Sequence, residues 1–227
     1  MRFLRTRRMR HPNHQNTPET PSLTDYTDDR GNSIRCGDNV MVTGKLSITF
    51  KGSGNTVTIR SNAHFDRLII DFEGDGNTVD IDHSVPGSLH RLRMRLGHGS
   101  SITIGPNCSQ QAEVYLTASE GNSITMGSDV MCASRVEIRG TDTHAIYSLD
   151  DRTRLNPSAD IVIGDHVWLA MEVVLLPGAI IGSNSVIGLR SVVTGEIPDS
   201  VVAVGVPAKV VKRNIDWERP VTFGFKP

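Results

Sequence analysis

The chain has no apolar run approaching the roughly 20 consecutive apolar residues that a membrane-spanning helix needs, so no transmembrane segment is expected. Aromatic residues are scarce at 5%, beside 21 glycines; this composition suits a turn-rich solenoid better than a helical bundle. Net charge is almost absent: 24 Lys and Arg against 25 Asp and Glu leave −1, which removes the cationic excess of a nucleic-acid binder. Cysteines number only three. Cys36, Cys108 and Cys132 are far apart and lie in or beside apolar strand patterns, so they read as small buried residues in a reducing compartment, not as a disulfide framework or a metal set. No apolar segment follows the basic start at Arg2, Arg5, Arg7, Arg8 and Arg10, so no signal peptide is expected and the chain reads as cytoplasmic. At 227 residues it is ample for one domain with a continuous core.

What is present is period. Ile163, Leu169, Leu175, Ile181, Ile187 and Val193 are all aliphatic and stand six apart. Simple alternation would indicate a strand and a 3.6-residue spacing a helix; a strict six fits neither. It fits a triangular solenoid in which six residues make one flat side and three blocks make a turn, a β-helix with stacked aliphatics along its axis. Small residues follow most of these positions, namely Gly164, Ala170, Gly182, Gly188 and Thr194, with Leu176 the exception, and the glycines are expected to relieve corners of unusual φ.

A second repeat precedes the first. Gly31-Asn32, Gly54-Asn55, Gly76-Asn77, Gly99-Ser100 and Gly121-Asn122 each open a corner and run into an alternating strand, at spacings of 23, 22, 23 and 22 residues. These predict longer coils of the same solenoid, with the additional residues in bulges or loops. Between them, Leu92, Met94 and Leu96 point one way and Arg91, Arg93 and Arg95 the other; the basic row is either a solvated face or a surface for an acidic polymer.

The organisation that follows is a basic, polar, flexible arm over 1–30, an all-β solenoid domain over 31–217 and a tail over 218–227. Within the domain, 22–23-residue coils occupy 31–125 and six-residue coils 126–197. The beat of Met126, Cys132 and Ile138 fails at His144, and residues 145–160 (AIYSLDDRTRLNPSAD) have no solenoid period. A loop of that length leaving a regular scaffold at an imidazole favours a functional role. After Ile197 come a last strand, a Gly-Val-Pro turn, a basic segment and a short cap from Asn214 over the open strand edge.

Taken together, Asp142-Thr143-His144, Ile163-Gly164-Asp165-His166-Val167-Trp168, Val174 to Gly182, Ser185 to Gly188, Ser191 to Thr194 and Val204-Gly205-Val206-Pro207-Ala208-Lys209 resemble the hexapeptide-repeat acyltransferases, nearest the bacterial sugar and polysaccharide O-acetyltransferases. The detailed resemblance covers about residues 121–217, and the Gly-Asn repeats extend the fold match back to about 31. It implies a left-handed parallel β-helix, acetyl-CoA as co-substrate, no metal, and a homotrimer with active sites between subunits. It implies an acceptor on a bacterial surface polysaccharide, capsule or lipopolysaccharide, with sialic acid among the candidates. On the matching positions it makes His144 the catalytic histidine, Trp168 an aromatic beside acceptor and thioester, and Asp142 a candidate to orient the ring. Ala170, Leu189 and Thr194 fall along the pantetheine arm, and Lys209, Lys212 and Arg213 where basic residues meet the coenzyme phosphates.

The chemistry needs these residue types. A sugar hydroxyl is a poor nucleophile until a base takes its proton, and an imidazole titrates near neutral pH and can then pass that proton to the departing thiolate. A backbone N–H near Ala170 is the expected donor to the oxyanion. Two other classes compete. A trimeric zinc β-helix of the γ-carbonic anhydrase type would use His144 and His166, but a third ligand is not evident. A non-catalytic solenoid would bind acidic glycan through the arginine row and need neither His144 nor the basic C-terminus.

Overall fold

The computed structural model of the protein describes residues 23–220. The Arg-rich start and the last residues of the tail, over 1–22 and 221–227, lie outside the described residues. Every described regular element is a strand, and three parallel sheets of nine, seven and six strands form the faces of one prism.

The six-residue beat dictates this directly. Ile163 pairs with Ile181, Leu169 with Ile187 and Leu175 with Val193, each one coil above the other and each on a different face. All six beat residues are buried, and Val167, Val173, Ala179, Ser185 and Ser191 fill the space between them. A buried aliphatic of this size contributes about 1.5–3 kcal/mol relative to exposure, so the stacked column is the main source of stability here. The two buried serines are satisfied. Ser185 Oγ donates to Pro198 O at 2.9 Å, and Ser191 Oγ accepts from Gly205 N at 3.0 Å.

The corners correct one expectation. Gly164, Gly182 and Gly188 are not at positive φ; the left-handed residues are His166, Glu172, Gly178, Asn184 and Arg190, three positions after each of the first five beat residues. The glycines are needed because the next coil comes too close. A Cβ at Gly164 would stand 2.8 Å from Ser183 N, and one at Gly182 2.4 Å from Asp199 N.

The earlier coils follow the Gly-Asn repeat. Gly31, Gly54, Gly76, Gly99 and Gly121 all have φ between 62 and 79°, the left-handed turn that only glycine adopts without cost. The residue after each is buried and forms a ladder. Asn32 Oδ1 accepts from Asn55 N and Nδ2 at 3.0 and 2.9 Å, and Asn55 Oδ1 does the same for Asn77. Asn77 Oδ1 then accepts from Ser100 N at 3.0 Å.

The additional residues of these coils mainly lengthen one face. Successive strands of the seven-stranded sheet are Met41–Phe50, His64–Phe72, His90–Leu96, Val114–Ala118, Glu137–Arg139, Val174–Leu175 and Val192–Val193. The prism is therefore a wedge, broad at its N-terminal end. Bulges occur, as expected, between Val42 and Lys45 and between Phe65 and Arg67.

Both ends are closed by antiparallel pairing. Residues 23–30, counted with the arm from the sequence, fold onto the first coil: Tyr26–Thr27 pairs with Ser33–Cys36, and the Asp25 carboxylate accepts from Cys36 N at 2.8 Å. At the other end Ala208–Arg213 folds back on Val201–Gly205 and covers the open edge. The chain then descends along the corner between the nine- and six-stranded faces. Ile215 binds Ser200 and Asn184, Trp217 binds His166, and Arg219 reaches Asp129, Ser109 and Asn107.

Cys108 and Cys132 are buried, Cys36 is half-buried, and all three are free thiols. Burial pushes the Cys36 and Cys108 thiols up to about 11 and about 12 and raises Cys132 further. None of the three is a reactive thiolate.

Candidate active site

The site is built where the strand Glu137–Arg139 leaves the seven-stranded face. Gly140 keeps the ladder with its N–H donating to Thr117 O at 2.8 Å, and Thr141 is buried. Thr143 then takes φ +64, a conformation that costs a β-branched residue on the order of 1–3 kcal/mol. That turn throws His144 out of the coil to the mouth of a cleft of about 420 Å³. Its walls are Glu73, Arg95, Tyr115, Thr117, Ser119, Glu120, Arg139, Thr141 and Thr143. Five of these carry hydroxyls and four are charged. Neither ring nitrogen of His144 has a hydrogen-bond partner among the described residues.

The loop over 145–160 is an ordered hairpin. Tyr147 bridges Arg154, Ser148 N donates to Thr153 O at 2.8 Å, and the Arg152 guanidinium lies 4.8 Å from the Tyr147 ring centroid. Arg154 is tied back to Glu120 at 2.9 Å, and Ser158 Oγ donates to the same carboxylate at 2.8 Å. These contacts hold Glu120 below the usual carboxylate range, Arg154 first and Ser158 next. The hairpin exposes apolar side chains beside the charged turn of Asp150, Asp151 and Arg152: Leu149 is 93% exposed, and Ile146, Tyr147 and Leu155 are exposed too.

Asp142 does not touch the His144 ring in this chain. Its Oδ2 accepts from Asn156 Nδ2 at 2.8 Å; the same amide group donates to His144 O at 2.9 Å, and Asn156 Oδ1 accepts from Ile146 N at 2.6 Å. Asn156, which the sequence did not single out, thus fixes the backbone that carries His144. A residue in mid-loop gives no periodic signal.

Trp168 lies on the six-stranded face, 37% exposed, paired with Met131 below and Val186 above. His144 leaves the corner between the other two faces, so one chain does not bring the two residues together. Ala170 and Leu189 flank the corner between the six- and seven-stranded faces, and Lys209, opposite Val204, sits one coil higher at the same corner. Thr194 is one face further on. Lys212 and Arg213 pair with Val202 and Val201 at the far end of the capping strand. All three basic side chains are exposed. The Ala170 N–H, expected as an oxyanion donor, is already taken: it donates to Ile187 O at 2.9 Å within the ladder.

His166 is part of the C-terminal strap. Its Nδ1 meets Asp129 Oδ2 at 2.5 Å, Nε2 meets Trp217 O at 2.9 Å, and the ring stacks on Trp217 at 4.1 Å. Burial opposes its charge, but Asp129, the Trp217 carbonyl and Asp216 outweigh it and raise its pKa. Among the described residues no three His, Cys, Asp or Glu side chains are grouped for a metal ion, and His144 and His166 stand at different corners.

With this geometry in place, comparison with known proteins is informative. The family model described as bacterial transferase hexapeptide (six repeats) matches residues 160–195, the part of the chain with the strictest beat. The crystal structure of the polySia specific acetyltransferase NeuO superposes with a TM-score of 0.79 at 32% identity, over 86% of this chain and 88% of that one. The chain belongs to the hexapeptide-repeat acyltransferase family. Its fold is accordingly the left-handed parallel β-helix. The polysialic acid O-acetyltransferase OatWY gives a TM-score of 0.67 at 28% identity, over 85% of this chain and 93% of that one. Among curated relatives, the galactoside O-acetyltransferase of Escherichia coli K12 is 37% identical over 126 residues, 56% of this chain and 61% of that protein. The polysialic acid O-acetyltransferase of Escherichia coli O1:K1 is 34% identical over 121 residues, 53% of this chain and 39% of that protein. The chain thus spans between about two fifths and three fifths of the length of these curated relatives.

Proposed function

We propose that the protein is an O-acetyltransferase that moves an acetyl group from acetyl-CoA to a hydroxyl of a bacterial surface sugar or polysaccharide, in the cytoplasm. The observation that carries this reading is His144 itself: an exposed imidazole with both nitrogens uncommitted, held by Asn156 at the mouth of a hydroxyl-lined cleft. His144 takes the proton of the acceptor hydroxyl as its oxygen attacks the thioester carbonyl carbon. The tetrahedral intermediate collapses, the C–S bond breaks, and the imidazolium returns the proton to the coenzyme A thiolate. No acyl-enzyme is required. The relatives' names, which include galactoside and polysialic acid O-acetyltransferases, support this acceptor class.

The working unit in this proposal is a homotrimer with the active site between subunits. His144 and Trp168 lie on separate sides of one prism, and the exposed Ile146, Tyr147, Leu149 and Leu155 of the hairpin give it apolar surface to bury against a neighbour. A second chain would bring its six-stranded face, with Trp168, Ala170, Leu189 and Lys209, against His144. Three copies close such a head-to-tail contact into a ring. The coenzyme would lie along the Ala170–Leu189 corner with its phosphates at Lys209 and Lys212. The test is release of free thiol from acetyl-CoA across a panel of nucleotide sugars and capsular polysaccharides, with light scattering for mass. Thiol release with an acceptor from a trimeric species is expected. A monomer of full activity overturns the shared site, and glycan binding with no thiol release would favour a non-catalytic solenoid.

A further inference from the structure

We propose that the cleft beside His144 is a subsite for a carboxylate-bearing sugar residue, gripped by Arg95 and Arg139 in its wall and by Arg93 beside the Tyr115 ring, so that the acceptor is an acidic glycan. This deepens the acetyl-transfer reading and rests on it for the role of His144.

Strand register assembles the subsite. On the outer side of the seven-stranded face Arg93 pairs with Tyr115, while Arg95, Thr117 and Arg139 stack in the neighbouring column. The Arg93 and Arg139 guanidinium carbons lie 5.5 and 5.8 Å from the Tyr115 ring centroid. A cation–π contact holds a guanidinium by its face and leaves its edge to donate: Arg139 spends Nε–H on Glu137 at 2.7 Å, and Arg93 has no such carboxylate partner among the described residues. That edge matches the two oxygens of a carboxylate.

Most cations of the site are paired: Lys51 and Arg95 with Glu73, Arg139 with Glu137 and Arg154 with Glu120, and Asp71 is the strand partner of Arg95. Glu73 is 2.6 Å from Lys51 and 3.4 Å from Arg95, so two cations share one anion. Arg93 has no carboxylate within 4.0 Å among the described residues. Independently, Thr117 lines the cleft, is 4% exposed, and its Oγ1 has no hydrogen-bond partner among the described residues. A buried hydroxyl left open in the wall of a cleft is matched by a ligand hydroxyl or carboxylate.

The experiment is equilibrium binding by calorimetry, without acetyl-CoA, of oligomers of sialic acid and of galacturonic acid, each compared with the same oligomer after reduction of its carboxyls to alcohols. Wild-type protein should bind at least one carboxylated oligomer tenfold or more tighter than its reduced form. Arg93→Gln and Arg139→Gln should each collapse most of that ratio with melting temperature held. Arg60→Gln, on the nine-stranded face, removes the same charge and should leave the ratio intact. No preference for the carboxylated form, a ratio unchanged in both cleft variants, or equal loss in Arg60→Gln overturns the subsite. Thiol release is measured on the same samples: its absence with every acceptor overturns acetyl transfer, while the binding ratio still decides the subsite.

Discussion

In the coils over 161–197 most strands are two residues long and aliphatics six apart fill the axis; in the coils over 31–125 one face widens to ten residues and a buried amide ladder joins the corners. The two regions stack the same prism by different means. In the narrow region, close approach of the next coil requires glycine after the beat at Gly164 and Gly182, while Leu176 fits after Leu175. In the broad region, the coil is set by a repeating Gly-Asn corner, and the long face is free to carry charge. Arg67–Glu113, Arg91–Asp66 and Arg95–Glu73 are on that face, and the cleft opens at its upper margin. Scaffold precision and surface chemistry are thus divided between the two halves, with His144 at their junction.

The sharpest way to test that division is at the junction. His144→Ala should lower acetyl transfer by about 10²–10⁴-fold, the usual range for a general base, while the melting temperature stays close to wild type because the ring is exposed. Transfer rate and thermal melting on one sample check it; retention of most activity removes His144 from the chemistry.

Next in size is a pair of core substitutions, one in each region. Leu175→Ala, in the aliphatic column, should cost about 2–5 kcal/mol in urea unfolding. Asn77→Ala should cost about 1–3 kcal/mol, by leaving Ser100 N without its acceptor and removing one of the two donors to Asn55 Oδ1. Equal losses would mean that the two regions are held alike.

Smaller still, Lys209→Ala and Lys212→Ala should raise the KM for acetyl-CoA roughly fivefold, on the order of 1 kcal/mol for exposed charge contacts, with kcat little changed. Dephospho-coenzyme substrates should erase the difference from wild type. If they do not, these lysines do not meet the phosphates.

The smallest effect expected is on pH dependence of the strap. The raised pKa of His166 means that its contribution is fully present below its unfolded value, about 6.5, and is lost as pH rises through the folded value. The protection factor of amides around Trp217, with the intrinsic pH dependence of exchange divided out, should therefore fall as pH rises above about 6.5, and His166→Gln should flatten that profile. A profile unchanged in the variant would assign the strap to Arg219 and Asp129 alone.

Much of this was legible in residue spacing. The beat from Ile163 to Val193 foretold three faces and one axial column, and the Gly-Asn spacing foretold the left-handed corners at Gly31 to Gly121. The role of the glycines after the beat was not legible, because closeness of the neighbouring coil leaves no mark in a single strand. His144 stood out by interrupting a pattern. Tyr115 and Arg139 did not, although the 22-residue spacing from Arg93 to Tyr115 to Glu137, and from Arg95 to Thr117 to Arg139, is the coil length itself. Taking the period as a register, and not only as a count of coils, would have brought the cleft walls together. Asn156 and the strap residues had no such ruler, since their partners are 10 to 112 residues away along irregular chain.

The strap has a consequence for how the stack comes apart. A solenoid whose coils touch only their neighbours is a one-dimensional chain of links, free to fray from either end a coil at a time. Here Arg219, beyond the last coil, is fastened to Asn107, Ser109 and Asp129, and Trp217 to His166 between them. The final coils cannot peel away singly without first releasing a seam that begins several coils below. The narrow end should therefore open as one cooperative block.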